Sequence, residues 1–270
     1  MQCLLLPPSS SHLSAMTDPR MDGHVSVEEH DAVAIVTFGH PKSNSLPAAL
    51  LHTLATEIAT VGQNSGIKII LLRSDGSGAF CAGASFDEMK AVSDAPSGRK
   101  FFLGFAEVIL AMIRAPQFIV TRVHGKVTGG GVGLIAASDY VVATRGASLK
   151  LSELAVGLGP FVIGPVVERK VGPGAFEGMS IDADWRDADW AERHGLYTRV
   201  VDDVKELDEK LAELMAFLSA ANPEAIRQMK HVFWQGTEDW PNLLEKRAAI
   251  SGALALSAHT RAAIEKFEKR

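Results

Sequence analysis

The residues with the greatest capacity for chemistry lie in the segment VHGKVTGGGVGL, residues 123–134, where three consecutive glycines follow an apolar run. Glycine lets the chain turn sharply and lets a ligand approach the main chain, because it has no Cβ. If a helix starts here, its first amides have no partner within the helix and, with the helix dipole, present partial positive charge. The segment therefore predicts a backbone site that stabilises an anion or a developing oxyanion.

A second loop of the same kind lies upstream, in the segment GSGAFCAGASFDEM at residues 76–89. It follows the strand-like run at residues 67–73, so both loops have the order strand, small residues, helix. Two such loops on one sheet can each direct an N–H at the same oxygen, an arrangement that stabilises the enolate of an ester or thioester.

Four motifs together resemble the crotonase superfamily, also called the enoyl-CoA hydratase/isomerase superfamily. They are GHPKSNSL at residues 39–46, FCAGA at 80–84, the triple-glycine loop with ASDY at 137–140, and LSELAVGLG at 151–159. Their order and spacing match the family, and the resemblance covers roughly residues 24 to 270. It implies an α/β fold of the crotonase (ClpP-like) type, a superhelix of ββα repeats with a helical C-terminal region, and an enzyme acting on acyl-CoA thioesters.

The resemblance also implies the catalytic groups. The backbone N–H groups of Ala84 and Gly130 would form the oxyanion hole, and Glu153 would transfer protons. Glu153 lies among leucines and valines, and burial there would raise its pKa and make it a usable acid or base. A glutamate after Ser152 is also common at a helix start, so only the match to the family favours catalysis over that structural role.

One position departs from the family pattern. Typical hydratases of the family carry a second glutamate two residues after the triple glycine, and here Gly133 occupies that place. Addition of water uses both carboxylates, whereas a single glutamate suffices to move a proton between the α and γ carbons of an enoyl thioester. The sequence therefore leaves double-bond hydration and double-bond isomerisation both open.

The resemblance further implies where the substrate binds. The expected contacts to the coenzyme A part and the thioester are Lys42, Ser43, Ala82, Ser85, Phe86 and Gly129, with Pro41 nearby. Lys42 suits a phosphate as a point charge, and Ser85 replaces the aspartate usual in the family. The acyl pocket is expected at residues 101–105 and 159–165, without indicating chain length or branching. Because coenzyme A belongs to the substrate, no separate cofactor is expected.

Other ionisable side chains are given no catalytic role. Asp87 and Glu88 lie in a predicted helix, and Glu168 is expected on a solvated helical face. Asp139 is expected to support the fold, and His124, alone at a strand end, is expected to be packed or hydrogen-bonded. No cluster of histidine, cysteine and acidic residues has the spacing of a metal site.

Composition bounds the class of protein. The chain has 270 residues, 47% of them hydrophobic, and a net charge of −5, so it can bury a large core and has no basic surplus for nucleic acid. Cys3 and Cys81 are too few for a disulfide framework, which indicates a reducing compartment, the cytoplasm or alternatively the mitochondrial matrix. Cys81 is expected in a ligand-contacting loop. No apolar stretch reaches the roughly 20 residues of a membrane span.

The elements that must hold the two loops alternate between strand and helix. Apolar patterning predicts strands at 25–30, 32–38, 67–73, 118–123, 140–144 and 148–151, and helices at 47–61 and 98–114. Beyond residue 157 the pattern is nearly all helical, with helices at 185–194, 204–218, 223–233 and 243–269 and an extended segment at 195–201. We expect a disordered or leader-like tail at 1–21, a core at 22–200 and, at 201–270, helices that the resemblance implies form a homotrimer or a dimer of trimers.

Two further hypotheses compete with an acyl-CoA enzyme. The segment GVGLIA at residues 131–136 fits the dinucleotide-binding pattern after a strand, which would indicate an NAD-dependent dehydrogenase. The absence of a carboxylate at Gly133 also suits an inactive crotonase that binds coenzyme A esters without turnover.

Overall fold

A computed structural model describes residues 23–268 of the chain. The predicted tail at residues 1–21, together with Cys3, lies outside the described residues. The strands are β1 (His24–His30), β2 (Val33–Gly39), β3 (Ile69–Ser74), β4 (Phe118–Val123), β5 (Val127–Thr128), β6 (Tyr140–Thr144), β7 (Leu149–Lys150) and β8 (Arg199–Val201). The helices are α1 (Ala48–Gly62), α2 (Phe86–Ala91), α3 (Ala95–Arg114), α4 (Gly130–Ala136), α5 (Gly164–Val171), α6 (Pro173–Asp182), α7 (Ala188–Arg193), α8 (Val204–Ala220), α9 (Pro223–Phe233), α10 (Trp240–Ala255) and α11 (Ala258–Glu268).

The main sheet has six strands in the order β1-β2-β3-β4-β6-β8. β1 and β2 form an antiparallel hairpin that turns at Asp31, whose φ is +53°, and all the other pairs are parallel. β3 and β4 each begin with a run of apolar residues, as is typical of strands covered on both faces of a sheet. α1 and α3 cover one face, and Leu207 and Leu211 of α8 pack on the other.

A second, much smaller layer of β pairing runs across successive repeats. β5 pairs in parallel with β7, and single bridges join Leu46 to Ala84, Cys81 to Val127, and Leu149 to Arg186. Each repeat therefore contributes one long strand to the main sheet and one short extended segment to this second layer, followed by a helix. This is the ββα repeat of the predicted crotonase fold.

The helix α3 is long because it has a well-capped N-terminus and buried apolar residues along its whole length. Asp94 and Ser97 form a reciprocal capping box, and Pro96 lies in the first turn, where a missing N–H costs nothing. α3 packs closely on α10: a Cβ on Gly98 would lie 2.8 Å from the carbonyl oxygen of Gly252. Backbones can approach this closely only where both residues lack side chains.

Three of the helix predictions for the second half of the chain need correction. The helix predicted from residue 185 begins at Ala188, because Arg186 pairs with Leu149 and the Asp187 side chain caps the N–H of Trp190. The helix predicted over 243–269 is two helices, α10 and α11, and the Ser257 hydroxyl accepts the N–H of Thr260 where the second begins. α6 was not predicted.

The predicted boundary at residue 200 falls within β8, which belongs to the main sheet. Assembly through the C-terminal helices stays a prediction. Among residues 23–268, no helix combines the length and the apolar character needed to cross a membrane.

Candidate active site

Pairing in the second β layer brings the two glycine-rich loops together. Cys81 is bridged to Val127, and the N–H of Thr128 donates to the Cys81 carbonyl at 2.9 Å. Ala84 and Gly130 each lie three residues beyond their bridged residue, so the parallel register carries them side by side. A Cβ placed on Gly83 would lie 3.4 Å from the Gly130 nitrogen.

The N–H groups of Ala84 and Gly130 are available to a ligand. Gly130 is the first residue of α4, where an amide has no partner within the helix. Within the described part of the chain, no hydrogen bond takes either N–H. Gly129, just before, has φ +52° and ψ −124°, a conformation that only glycine adopts readily. The backbone is thus held so that both donors stay free.

Gly130 tolerates no side chain. A Cβ there would lie 2.1 Å from Cε1 of Phe105, because the ring of this α3 residue packs directly on the loop. The triple glycine therefore allows Phe105 of α3 to pack closely on the loop, and it also leaves the main chain accessible.

Glu153 reaches the same loop from the next repeat. β7 pairs with β5, the N–H of Gly129 donates to the Lys150 carbonyl at 3.0 Å, and Glu153 follows just before a short 3₁₀ turn. A Cβ on Gly129 would lie 3.3 Å from Oε1 of Glu153, so the carboxyl group stands against the loop that carries the Gly130 amide.

The environment of Glu153 suits proton transfer. Burial raises its pKa to about 7, and the backbone amides of Ser152 and Glu153 itself oppose that rise only in part. Its Oε2 is buried without a hydrogen-bond partner among the described residues. A carboxyl group with a pKa near neutrality can both accept and donate a proton.

The position of the absent second carboxylate is filled by an apolar side chain. A Cβ on Gly133 would lie 2.5 Å from Cγ2 and 2.9 Å from Cβ of Ile163. Ile163 therefore occupies the space into which a side chain at residue 133 would extend. Similarly, a Cβ on Gly131 would lie 2.7 Å from Cβ of Cys81. The glycines of the dinucleotide-like pattern thus serve helix packing and do not form a phosphate cradle.

The three groups open onto one cavity. Its wall is mostly apolar and combines the two loops with α2, α3, α10 and the segment after Glu153. The lining residues are Ala82, Gly83, Ala84, Phe86, Met89, Phe102, Phe105, Gly129, Gly130, Ser152, Glu153, Val156, Leu158, Gly159, Pro160, Phe161, Val162, Ile163 and Ser251. Most of the predicted acyl-pocket segments contribute, whereas Phe101 belongs to the core.

The predicted coenzyme A contacts divide into two groups. Ala82, Phe86 and Gly129 line the cavity. Ser85 and Ser43 do not: the Ser85 hydroxyl caps α2 by accepting the N–H of Glu88, and the exposed Ser43 accepts the N–H of Ala82 through its carbonyl group.

Lys42 also lies outside the cavity lining. Its ammonium group is exposed and forms an ion pair with Asp87 on α2. A phosphate bound there would meet the carboxylate that already holds this lysine.

Cys81 lies in the predicted loop, whose residues Ala82, Gly83 and Ala84 line the cavity, but its own side chain belongs to the core. It is fully buried beneath the loop, and burial raises its pKa to about 12, so its thiol stays protonated and unreactive. His124 is partly buried, and desolvation lowers its pKa. Both of its ring nitrogens are buried and neither has a hydrogen-bond partner within the described residues, so of the two expected roles His124 has the packed one.

Asp139 supports the fold, as its predicted role requires. Its carboxylate accepts the N–H of Ile119, the ammonium of Lys230 at 2.5 Å and the indole N–H of Trp234. The residue follows α4, so this buried network fixes the helix that begins at Gly130 against β4 and α9. No cluster of metal-ligating side chains occurs among the residues that the structure describes.

Sequence reasoning missed several wall residues, namely Met89, Val156, Leu158 and Ser251. Ser251 is more than 90 residues from any other polar lining residue, so only the packing of α10 on α3 brings it here. The one local signal was Gly252, since a glycine within a helical pattern often marks a close backbone approach.

Several known proteins are similar to this chain in sequence and in fold. YngF of Bacillus subtilis is 30% identical over 213 residues, covering 78% of this chain and 81% of its own. The short-chain-enoyl-CoA hydratase of Clostridium acetobutylicum is 27% identical over 217 residues, covering 80% and 82%. The crystal structure of enoyl-CoA hydratase from Mycobacterium smegmatis superposes with a TM-score of 0.75 at 28% identity, covering 91% and 96%.

The crystal structure of enoyl-CoA hydratase from Bacillus halodurans has a TM-score of 0.83 at 21% identity, covering 90% of this chain and 99% of its own, a likeness of fold. The enoyl-CoA hydratase/isomerase family matches residues 28–270. The chain therefore belongs to the enoyl-CoA hydratase/isomerase family, within the crotonase superfamily.

Proposed function

We propose that this protein is an enoyl-CoA isomerase that moves a carbon–carbon double bond within the acyl group. The observation that carries the proposal is that Glu153 is the single ionisable side chain among the described residues lining the cavity. The space beside Gly133 is filled by Ile163, so no second carboxylate stands ready to activate water.

The reaction follows from the positions of the three groups. The thioester oxygen binds between the N–H groups of Ala84 and Gly130, which stabilise negative charge on it. The Glu153 carboxylate removes a proton from the α carbon of a 3-enoyl-CoA, and the electrons shift into a dienolate. The protonated Glu153 then returns the proton to the γ carbon, which yields the conjugated 2-enoyl-CoA and regenerates the carboxylate.

The apolar wall supports this sequence of steps. Exclusion of water keeps the proton on Glu153 between its two transfers and strengthens the backbone hydrogen bonds to the enolate oxygen. A pKa of about 7 for Glu153 balances the two transfers, because the group must be first a base and then an acid.

The test follows a 3-enoyl-CoA and its 2-enoyl isomer by mass and by the absorbance of the conjugated thioester. We expect conjugation to appear from the 3-enoyl-CoA with no change of mass, and we expect Glu153→Gln to lose this activity. Glu107→Gln is the matched control, because Glu107 is exposed on α3 outside the cavity.

Faster water addition to the 2-enoyl-CoA than isomerisation of the 3-enoyl-CoA would contradict the proposal and identify a hydratase. Binding of both esters without turnover would identify a non-catalytic coenzyme A ester-binding protein. Full activity of Glu153→Gln would remove this residue from the mechanism.

A further inference from the structure

The cavity wall contains a hydroxyl group that has no hydrogen-bond partner among the described residues. Ser251 on α10 is 1% exposed and lines the cavity, where its neighbours are aromatic and aliphatic. Its Oγ makes no hydrogen bond with any residue of the described chain. Buried hydroxyl groups are normally hydrogen-bonded, because an unmet partner costs free energy.

Some other hydroxyl groups within the helices of this protein have an internal partner. Thr53 and Ser180 each donate to the carbonyl group four residues earlier in the same helix. This bond is the usual internal partner of a serine or threonine in a helix. Ser251 has the same opportunity and does not use it, so its hydroxyl remains available to the cavity.

The position of Ser251 is fixed by a close backbone contact between α3 and α10. Its neighbour Gly252 packs on Gly98, with less than 3 Å between the carbonyl oxygen and a Cβ placed on Gly98. Phe105, which packs on the oxyanion loop, lies seven residues further along α3, or about 10 Å at the α-helical rise. Ser251 therefore faces the part of the cavity remote from the thioester site.

The charge of the cavity limits what this hydroxyl can recognise. Of the described lining residues only Glu153 is ionisable, and no lysine, arginine or histidine is among them. A second carboxylate on the acyl group would have no counter-charge, and burial of an unpaired charge is costly. A neutral oxygen has no such cost and can exchange a hydrogen bond with a serine hydroxyl.

We infer that Ser251 is a specificity-determining residue that binds a neutral oxygen, a hydroxyl or keto group, on the distal part of the acyl chain. The inference rests on the proposed function to the extent that the cavity must hold an acyl-CoA. It then extends that function from enoyl-CoA esters in general to oxygen-substituted ones. The hydroxyl group of the protein would discriminate against plain alkyl chains, whose binding leaves it unpaired.

The test measures binding rather than turnover, so that it does not depend on which reaction occurs. Saturated hexanoyl-CoA is titrated calorimetrically against hexanoyl-CoA with a single hydroxyl at carbon 5 or 6, and octanoyl-CoA against octanoyl-CoA with a single hydroxyl at carbon 5, 6, 7 or 8. We expect at least one hydroxylated ester to bind about tenfold more tightly than its plain counterpart. In Ser251→Ala this preference should fall to about onefold, while affinity for the plain esters is unchanged or higher.

Ser180→Ala is the matched control, because it removes a helical hydroxyl outside the cavity lining and should leave the preference intact. Equal affinity of the wild-type protein for every plain and hydroxylated pair would overturn the inference, as would a preference that survives in Ser251→Ala. Isomerase activity without any hydroxyl preference would overturn the inference alone. Failure of all the esters to bind would overturn it together with the proposed function.

Discussion

Replacement of Glu153 by glutamine should stabilise the protein, and by more at high pH than at low pH. Burial raises the pKa of this carboxyl group from 4.5 to about 7. Between these two values the unfolded chain has already released the proton that the folded protein still holds. Folding stability therefore falls as the pH rises through this interval, because the folded state binds more protons there.

The magnitude follows from the size of the shift. At about 1.4 kcal/mol per pKa unit, the folded wild-type protein loses about 3 kcal/mol by pH 8 and about 1 kcal/mol at pH 5. Glutamine has no charge to desolvate at either pH. Any effect of its amide hydrogen bonds is the same at both values, so the difference between the two pH values isolates the carboxyl group.

The assay is urea denaturation of the wild-type protein and Glu153→Gln at pH 5 and pH 8, at one protein concentration. We expect the variant to gain about 2 kcal/mol more, relative to wild type, at pH 8 than at pH 5. Glu107→Gln should show no such dependence. A gain for Glu153→Gln that is equal at the two pH values, or larger at pH 5, would refute the reasoning about burial.

Three other outcomes are expected. The kcat/KM for isomerisation, measured by thioester absorbance, should rise with pH through about 7. At pH 5 it should be about 100-fold below its plateau, because about one part in a hundred of Glu153 is ionised there. A flat pH profile would contradict this. Gly129→Ala places a Cβ 3.3 Å from Glu153 Oε1 in a backbone conformation that disfavours alanine, so kcat should fall by about 10²-fold or more while circular dichroism stays unchanged. Lys230→Met leaves the Asp139 carboxylate without its cation and should lower the free energy of unfolding by about 3–5 kcal/mol in urea titrations; a loss below about 1 kcal/mol would make that ion pair unimportant.

The sequence carried the parts of the site that depend on local chain geometry. The glycines at 129–131 predicted a main chain that turns sharply and leaves its amides accessible. The position of Glu153 after the next short strand agreed with the family pattern. The strand and helix order of the first half followed from apolar periodicity, since each element there buries one clear face.

The remaining features arise from contacts between distant segments. Nothing near Gly133 indicated that Ile163 would fill the space beside it. Gly252 indicated a close backbone approach near Ser251, but not that Ser251 would lie in a cavity built mainly by residues 82–163. The break between α10 and α11 was missed because the apolar pattern continues across it. In these cases the deciding interaction joins residues far apart in sequence, where periodicity gives no information.

The short second β layer limits which parts of this fold can vary in sequence. The two amides occupy equal offsets from a pair of bridged residues in neighbouring repeats, so an insertion in either loop would misalign them by about one strand residue, 3.3 Å. The far wall, in contrast, is supplied by side chains of α3, α10 and residues 159–163, which do not set that alignment. Under the proposed function, substitution there would exchange one acyl group for another while the two amides keep their positions at the carbonyl oxygen.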